Sequence, residues 1–285
     1  MVNNRMPSNK IALRTILIKY FLLTVVNLVV MQSSAIIIRH DKGYGSYLVR
    51  ESQFPAVFFL ERQANRKVCV ATLIHFQWAI TAAHCTEQTS LSESLAKRSS
   101  FEVTVANRER IIDSMVIHPQ YSPGNVAEVD LALLHFNSPI DYPPAISLNN
   151  TGDELHSAVT LLGWGFFGLG TTGRQYDDGQ FRKARNRIEA AGRRLRIRFD
   201  DPRNPDSAAM ELEGMPGLGD SGGPALLDSA EGWVLAGVAV GELEGEGFSE
   251  ETQGAYGSIA IYERISRHQD WIQRTIAELS ADSSE

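Results

Sequence analysis

From Ile36 onward the chain is a succession of short apolar stretches broken by turn residues, at 56–60, 68–74, 78–82, 101–105, 111–117, 131–136, 159–162, 195–199, 234–240 and 258–262. Stretches this short are poor helices, and they are spaced too evenly for alternating strand and helix units. They predict an all-β fold whose strands close into barrels or a sandwich. One helix is expected, at the end. Ser266 and Gln269 have the spacing of a capping box, and Trp271, Ile272, Ile276 and Leu279 then supply an apolar face. No solenoid-length repeat and no Pro-, Gly- or Ser-rich linker divides the chain, so residues 36–285 read as one domain. Two stretches read as irregular: 167–180, glycine-rich and expected to be a mobile loop, and 241–254, largely glycine and glutamate.

Residues 1–35 are of another kind. They hold Arg5, Lys10, Arg14 and Lys19 and no acid, then an apolar run at 21–30, then Ser33-Ser34-Ala35 with small residues at the −3 and −1 positions. That is the three-part pattern of a secretory signal peptide cut after Ala35. The alternative is an uncleaved membrane anchor, which needs about 20 apolar residues. That length is reached here only by including Arg14 and Lys19. On either reading the rest of the chain leaves the cytoplasm, to be secreted, periplasmic or extracellular, or held at a membrane. With those four bases set aside, the remainder is more acidic than the whole-chain net charge of −7. Such a surface repels phosphate backbones, so no nucleic-acid partner is expected. Two cysteines make neither a disulfide-rich scaffold nor a four-cysteine zinc site, and no metal or cofactor is expected. The basic run at 174–198 reads as a half-buried strand rather than a polyanion site, because Arg194, Arg196 and Arg198 alternate with Leu195, Ile197 and Phe199.

Chemistry concentrates in three places. Gly219-Asp220-Ser221-Gly222-Gly223-Pro224 puts a serine hydroxyl on a tight turn whose glycines let backbone N–H groups converge on one point, a geometry suited to an oxyanion. Thr81-Ala82-Ala83-His84-Cys85 places a histidine at the end of an apolar strand, behind small residues, as a candidate general base. Val129-Asp130-Leu131-Ala132 embeds one carboxylate in an apolar stretch, where it needs a donor that a histidine ring can supply.

These motifs, in this order and separated by 46 and 91 residues, resemble the trypsin-like, chymotrypsin-fold serine peptidases. Gly163-Trp164-Gly165, Tyr262 and Trp271 add to the likeness, which runs from Ile36 to Leu279. The resemblance implies two six-stranded antiparallel β-barrels with the active site between them and a C-terminal helix. It implies Ser221 as nucleophile, His84 as base, Asp130 as its orienting partner, and the Gly219 and Ser221 N–H groups as oxyanion hole. It also implies a disulfide between Cys69 and Cys85. The substrate pocket would be bounded by Met215, six residues before Ser221, and by Val240, Gly241 and Glu242. Trypsin-type members carry an aspartate where Met215 stands, so an uncharged P1 side chain is expected over Lys or Arg unless Glu213 or Glu242 folds into the pocket. Val240 also lacks the hydroxyl that family members place beside the triad aspartate. A cut after Ala35 would free the Ile36 ammonium to pair with Asp220 and order the oxyanion hole. The expected protein is a monomeric secreted serine endopeptidase whose partners are polypeptide substrates and protein inhibitors; the alternative is an inactive member that uses the fold for protein binding.

Overall fold

The computed structural model describes residues 36–123, 128–243, 249 and 252–282; the expected signal segment lies outside them, as does much of 241–254. Short strands follow one another with little helix: β1 (Ile36–Ile38), β2 (Val57–Gln63), β3 (Arg66–His75), β4 (Trp78–Thr81), β5 (Phe101–Val105), β6 (Arg108–Ile117), β7 (Ala132–Phe136), β8 (Ser147–Leu148), β9 (Ala158–Gly163), β10 (Phe167–Leu169), β11 (Gly173–Tyr176), β12 (Arg182–Ala191), β13 (Arg194–Arg198), β14 (Gly214–Met215), β15 (Pro224–Ser229), β16 (Gly232–Glu242) and β17 (Ile259–Arg264). The first barrel-like sheet is antiparallel throughout, in the order β2-β3-β4-β7-β6-β5. Its side chains alternate as a curved sheet requires: in β5, Phe101, Val103 and Val105 point to the core while Glu102 and Thr104 face solvent. The second runs β15-β9-β12-β13-β17-β16, and β15 pairs back onto β16, so six antiparallel strands close a ring; β8 joins β16 in parallel. The two antiparallel barrels expected from the resemblance are present. Leu162, Trp164, Leu226, Leu235 and Val238 of the second pack into the core cluster of the first, so the two barrels share apolar contact.

The 167–180 stretch is a loop only at its end, over 177–180. It forms the β10–β11 hairpin, which continues through β1 to β14 in a third sheet of order β11-β10-β1-β14. Its glycines mark close approach rather than freedom. A Cβ on Gly168 would lie 2.0 Å from the Gly173 carbonyl oxygen, so only glycine lets the two short strands come together. In β12 the charges of 182–187 conceal a half-buried strand, with Ala184 and Ile188 facing inward. The buried Arg182 guanidinium is matched by both oxygens of Asp178, at 3.0 Å each.

The terminal helix, Gln269–Asp282, buries Ile272 and half-buries Trp271 and Ile276; Leu279 remains 38 % exposed. The expected capping box does not form. Ser266 lies in a 3-10 turn, Ile265–Arg267, and donates to Glu154 Oε1 at 2.6 Å, while Gln269 donates to the Asn149 carbonyl at 2.7 Å. Glu154 is fully buried and ion-paired with Arg264, and a buried carboxylate is a stronger acceptor for the serine hydroxyl than the helix N-terminus.

Candidate active site

His84 lies just past the end of β4, ahead of a one-turn helix, Cys85–Gln88, and lines the cleft. Asp130 sits just before β7, the strand that pairs with β4, so sheet register brings the two together across 46 residues. One carboxylate oxygen of Asp130 accepts the His84 backbone N–H at 2.9 Å, and the other lies 2.6 Å from His84 Nδ1. Two bonds to one carboxylate fix the ring's position and assign the proton to Nδ1, leaving Nε2 as a base. Both side chains are mostly but not wholly buried, at 19 % and 15 % exposure.

Ser221 reaches the same cleft from the second barrel. The cleft, of about 340 Å³, is lined by His84, Asp130 and Ser221, by Gly217 and Leu218 on one side, and by Val240, Gly241 and Glu242 on the other. The Ser221 turn is tied down through its carbonyls: Cys69 N–H donates to Gly219 O at 3.0 Å, and Val70 N–H donates to Ser221 O at 2.8 Å. Gly222 N–H and Gly223 O clip the turn to Ala239 of β16 at 2.7 and 2.8 Å. Gly219 and Gly222 have φ of +97° and +80°, conformations in which a Cβ strains the backbone. Among the described residues, neither Gly219 N–H nor Ser221 N–H is spent on a protein acceptor.

Asp220 points the other way, into the protein, where it is 1 % exposed. Its oxygens accept Gly165 N–H at 2.6 Å and Gly217 N–H at 2.9 Å. Burial outweighs those bonds and pushes its carboxyl up to about 7. Gly163-Trp164-Gly165 is explained here: a Cβ on Gly163 would lie 1.9 Å from Asp220 Oδ1, and one on Gly165 would lie 2.5 Å from Leu218 O. Ile36, fully buried, begins the strand that runs between β10 and β14, with Ile37 opposite Met215.

The other sequence-predicted residues fall into place unevenly. Cys69 and Cys85 form the disulfide, closing the loop that carries β4. Val240, Gly241 and Glu242 line the cleft, whereas Met215 is buried against the second barrel's core behind the lining residues. Glu242 accepts Gly254 N–H at 3.0 Å, and burial pushes its carboxyl up. Glu213 is spent elsewhere: it accepts the N–H groups of Asp200 and Met210, and burial pushes it up to about 7. Sequence reading missed Glu263 and Arg194. Glu263, fully buried in β17, accepts the Asp130 N–H at 3.0 Å and pairs with Arg194, which also lines the cleft. The one sequence signal was an acid beside the inward-facing Tyr262.

Comparison with known proteins bears on the family and the fold. The family described as Trypsin matches residues 44–272. Vitamin K-dependent protein C of Rattus norvegicus is 27 % identical over 255 residues, covering 81 % of this chain and 51 % of that protein. Transmembrane protease serine 11C of Mus musculus is 26 % identical, covering 83 % of this chain and 54 % of that protein. The chain thus spans about half the length of these relatives. A solved structure of neuropsin, a serine protease expressed in the limbic system of mouse brain, shares the fold with a TM-score of 0.60 at 18 % identity, covering 81 % of this chain and 98 % of its own. No helix among the described residues is long and apolar enough to cross a membrane. The chain belongs to the trypsin family of serine proteases.

Proposed function

We propose that this chain is an active, exported serine endopeptidase that cleaves polypeptides through an acyl-enzyme. The observation that carries the reading is the His84–Asp130 pair, bonded at 2.6 Å and opening on the cleft that Ser221 lines. In this reading Ser221 Oγ attacks the scissile carbonyl while His84 Nε2 takes its proton, later returning it to the leaving amine. Asp130 holds the tautomer and stabilises the imidazolium that forms. The unspent N–H groups of Gly219 and Ser221 receive the oxyanion; loss of one such donor costs on the order of 10²-fold in rate. Export rests on the 1–35 segment. Activation rests on the burial of Ile36 and Asp220, since a cut after Ala35 would give Asp220 the ammonium partner that its buried carboxyl lacks.

The test is a fluorophosphonate probe on the processed chain, alongside Ser221→Ala and His84→Ala. Labelling of the wild type alone, with amide hydrolysis reduced by at least about 10³-fold in either variant, is expected. An unlabelled wild type, folded and beginning at Ile36, would favour the protein-binding reading instead.

A further inference from the structure

Asp130 is gripped from a direction that its role toward His84 does not require. Its own N–H donates to Glu263 Oε1 at 3.0 Å. Arg194 Nε donates to the same oxygen at 2.7 Å, and Arg194 Nη2 reaches both Glu263 and the carbonyl of Glu128, two residues before Asp130. His268 Nε2 stands 3.7 Å from Glu263 Oε2. One ion pair between β13 and β17 therefore holds both ends of the 128–130 segment. Val240, which the resemblance would make a hydroxyl residue beside Asp130, is aliphatic. We propose that Glu263 and Arg194 act together as the positioning residues for Asp130, and that their opposite charges are balanced around His84. The inference rests on the peptidase reading above.

The balance matters because Glu263 is fully buried yet stays ionised: burial raises its carboxyl, but His268 and Arg194 outweigh that and hold it below its usual value. Removing either partner shifts the net charge beside the His84–Asp130 pair by one unit, in opposite directions for the two. Other groups there are Glu242 and Arg194 in the cleft wall, Tyr121 in the cleft, Glu87 in the helix that follows His84, and His268 and His118 beyond Glu263. Burial keeps Tyr121 uncharged, its hydroxyl pushed up to about 12, and keeps His118 neutral, pushed down to about 4, so neither screens the pair near neutral pH.

The experiment is the pH profile of kcat/KM for Glu263→Gln, Arg194→Gln and the double variant, with the His84 ring titration followed by NMR in the Ser221→Ala chain. Glu263→Gln removes a negative charge, which disfavours imidazolium, so the acid limb moves to lower pH by about 0.5 unit. Arg194→Gln removes a positive charge and moves it up by a similar amount; the double variant returns to the wild-type limb. A kcat loss of about tenfold at the plateau accompanies Glu263→Gln. A pair that only joins two strands would lower thermal stability without moving the limb in opposite directions, and unmoved or like-signed shifts would overturn the proposal. Should Glu263→Gln not fold, Arg194→Gln still must move the limb up and Arg194→Lys must leave it in place. Failure of the wild type to label with fluorophosphonate refutes the peptidase reading alone, because the NMR titration still reads the charge balance.

Discussion

A methyl group at Gly222 would sit 2.0 Å from the Val70 carbonyl oxygen and 2.3 Å from Thr81 Oγ1, on a backbone with φ of +80°. The Ser221 turn is thus packed against β3 and β4, the strands that lead to His84, and its glycine is a steric requirement of joining the two barrels. Gly222→Ala should cost at least about 1–3 kcal/mol from the backbone conformation alone, read as a lower thermal midpoint, and should abolish probe labelling. Substrate preference is also argued at this scale. Met215 is buried and carries no charge, and the Glu242 carboxyl is bonded to the Gly254 N–H, so no acid stands free at the expected pocket base for a basic side chain. A peptide-library profile should show uncharged P1 residues ahead of Lys and Arg; leadership by Arg that collapses in Glu242→Gln would assign that carboxylate to the pocket. At the residue scale, the cysteine pairing came only through the family resemblance, whereas the Ser221 turn and the His84 and Asp130 segments were legible because each is a local string with a chemical reason. Glu263 and Arg194 were not, because a charge in a strand reads as surface until the sheet register shows it facing inward.

Among the elements, those with clean alternation were legible: β5 was read to its ends, and β3, β4, β7 and β16 within a few residues. Where polar tertiary contacts supply the stabilisation, local pattern misled. The basic run at 174–198 was read as a single half-buried strand although it holds β11, β12 and β13, and the glycines of β10 and β11 were taken for looseness. The end of the second barrel shows the same cause, since Ser266 serves Glu154 rather than its own helix. Glu154→Gln should leave Arg264 buried without a counter-charge, at a cost of about 3–5 kcal/mol in chemical denaturation. Because the Arg264 and Ser266 bonds hold the Glu154 carboxyl below its ordinary value against the upward push of burial, the pair's stabilisation is complete above about pH 4.5. It is lost as pH falls through the lower folded value, and the variant should lack that acid limb.

Over the whole molecule, the raised carboxyl of Asp220 gives the opposite dependence. A carboxyl that titrates near 7 when folded and near 4 when unfolded favours folding in acid, and about 4 kcal/mol of that is lost as pH rises between those values. The unprocessed chain should therefore lose stability from pH 4 to 7. Asp220→Asn should flatten that slope, and processing to Ile36 should reduce it by supplying a cation. Thermal midpoints of the three forms across that range are the measurement; equal slopes would mean that the new terminus does not reach Asp220. The strand pattern made an all-β barrel or sandwich legible and the family resemblance made it two barrels, but the third sheet was not legible, since β1 and β14 are too short to show a period. The single disulfide lies wholly inside the first barrel, at Cys69 and Cys85. Everything after it is held to the rest by chain continuity and packing, so a proteolytic nick in the exposed 203–206 turn would leave two pieces with no covalent tie. Such a nicked molecule would stay whole in native solution and yet run as two separate bands on a denaturing gel without any reductant.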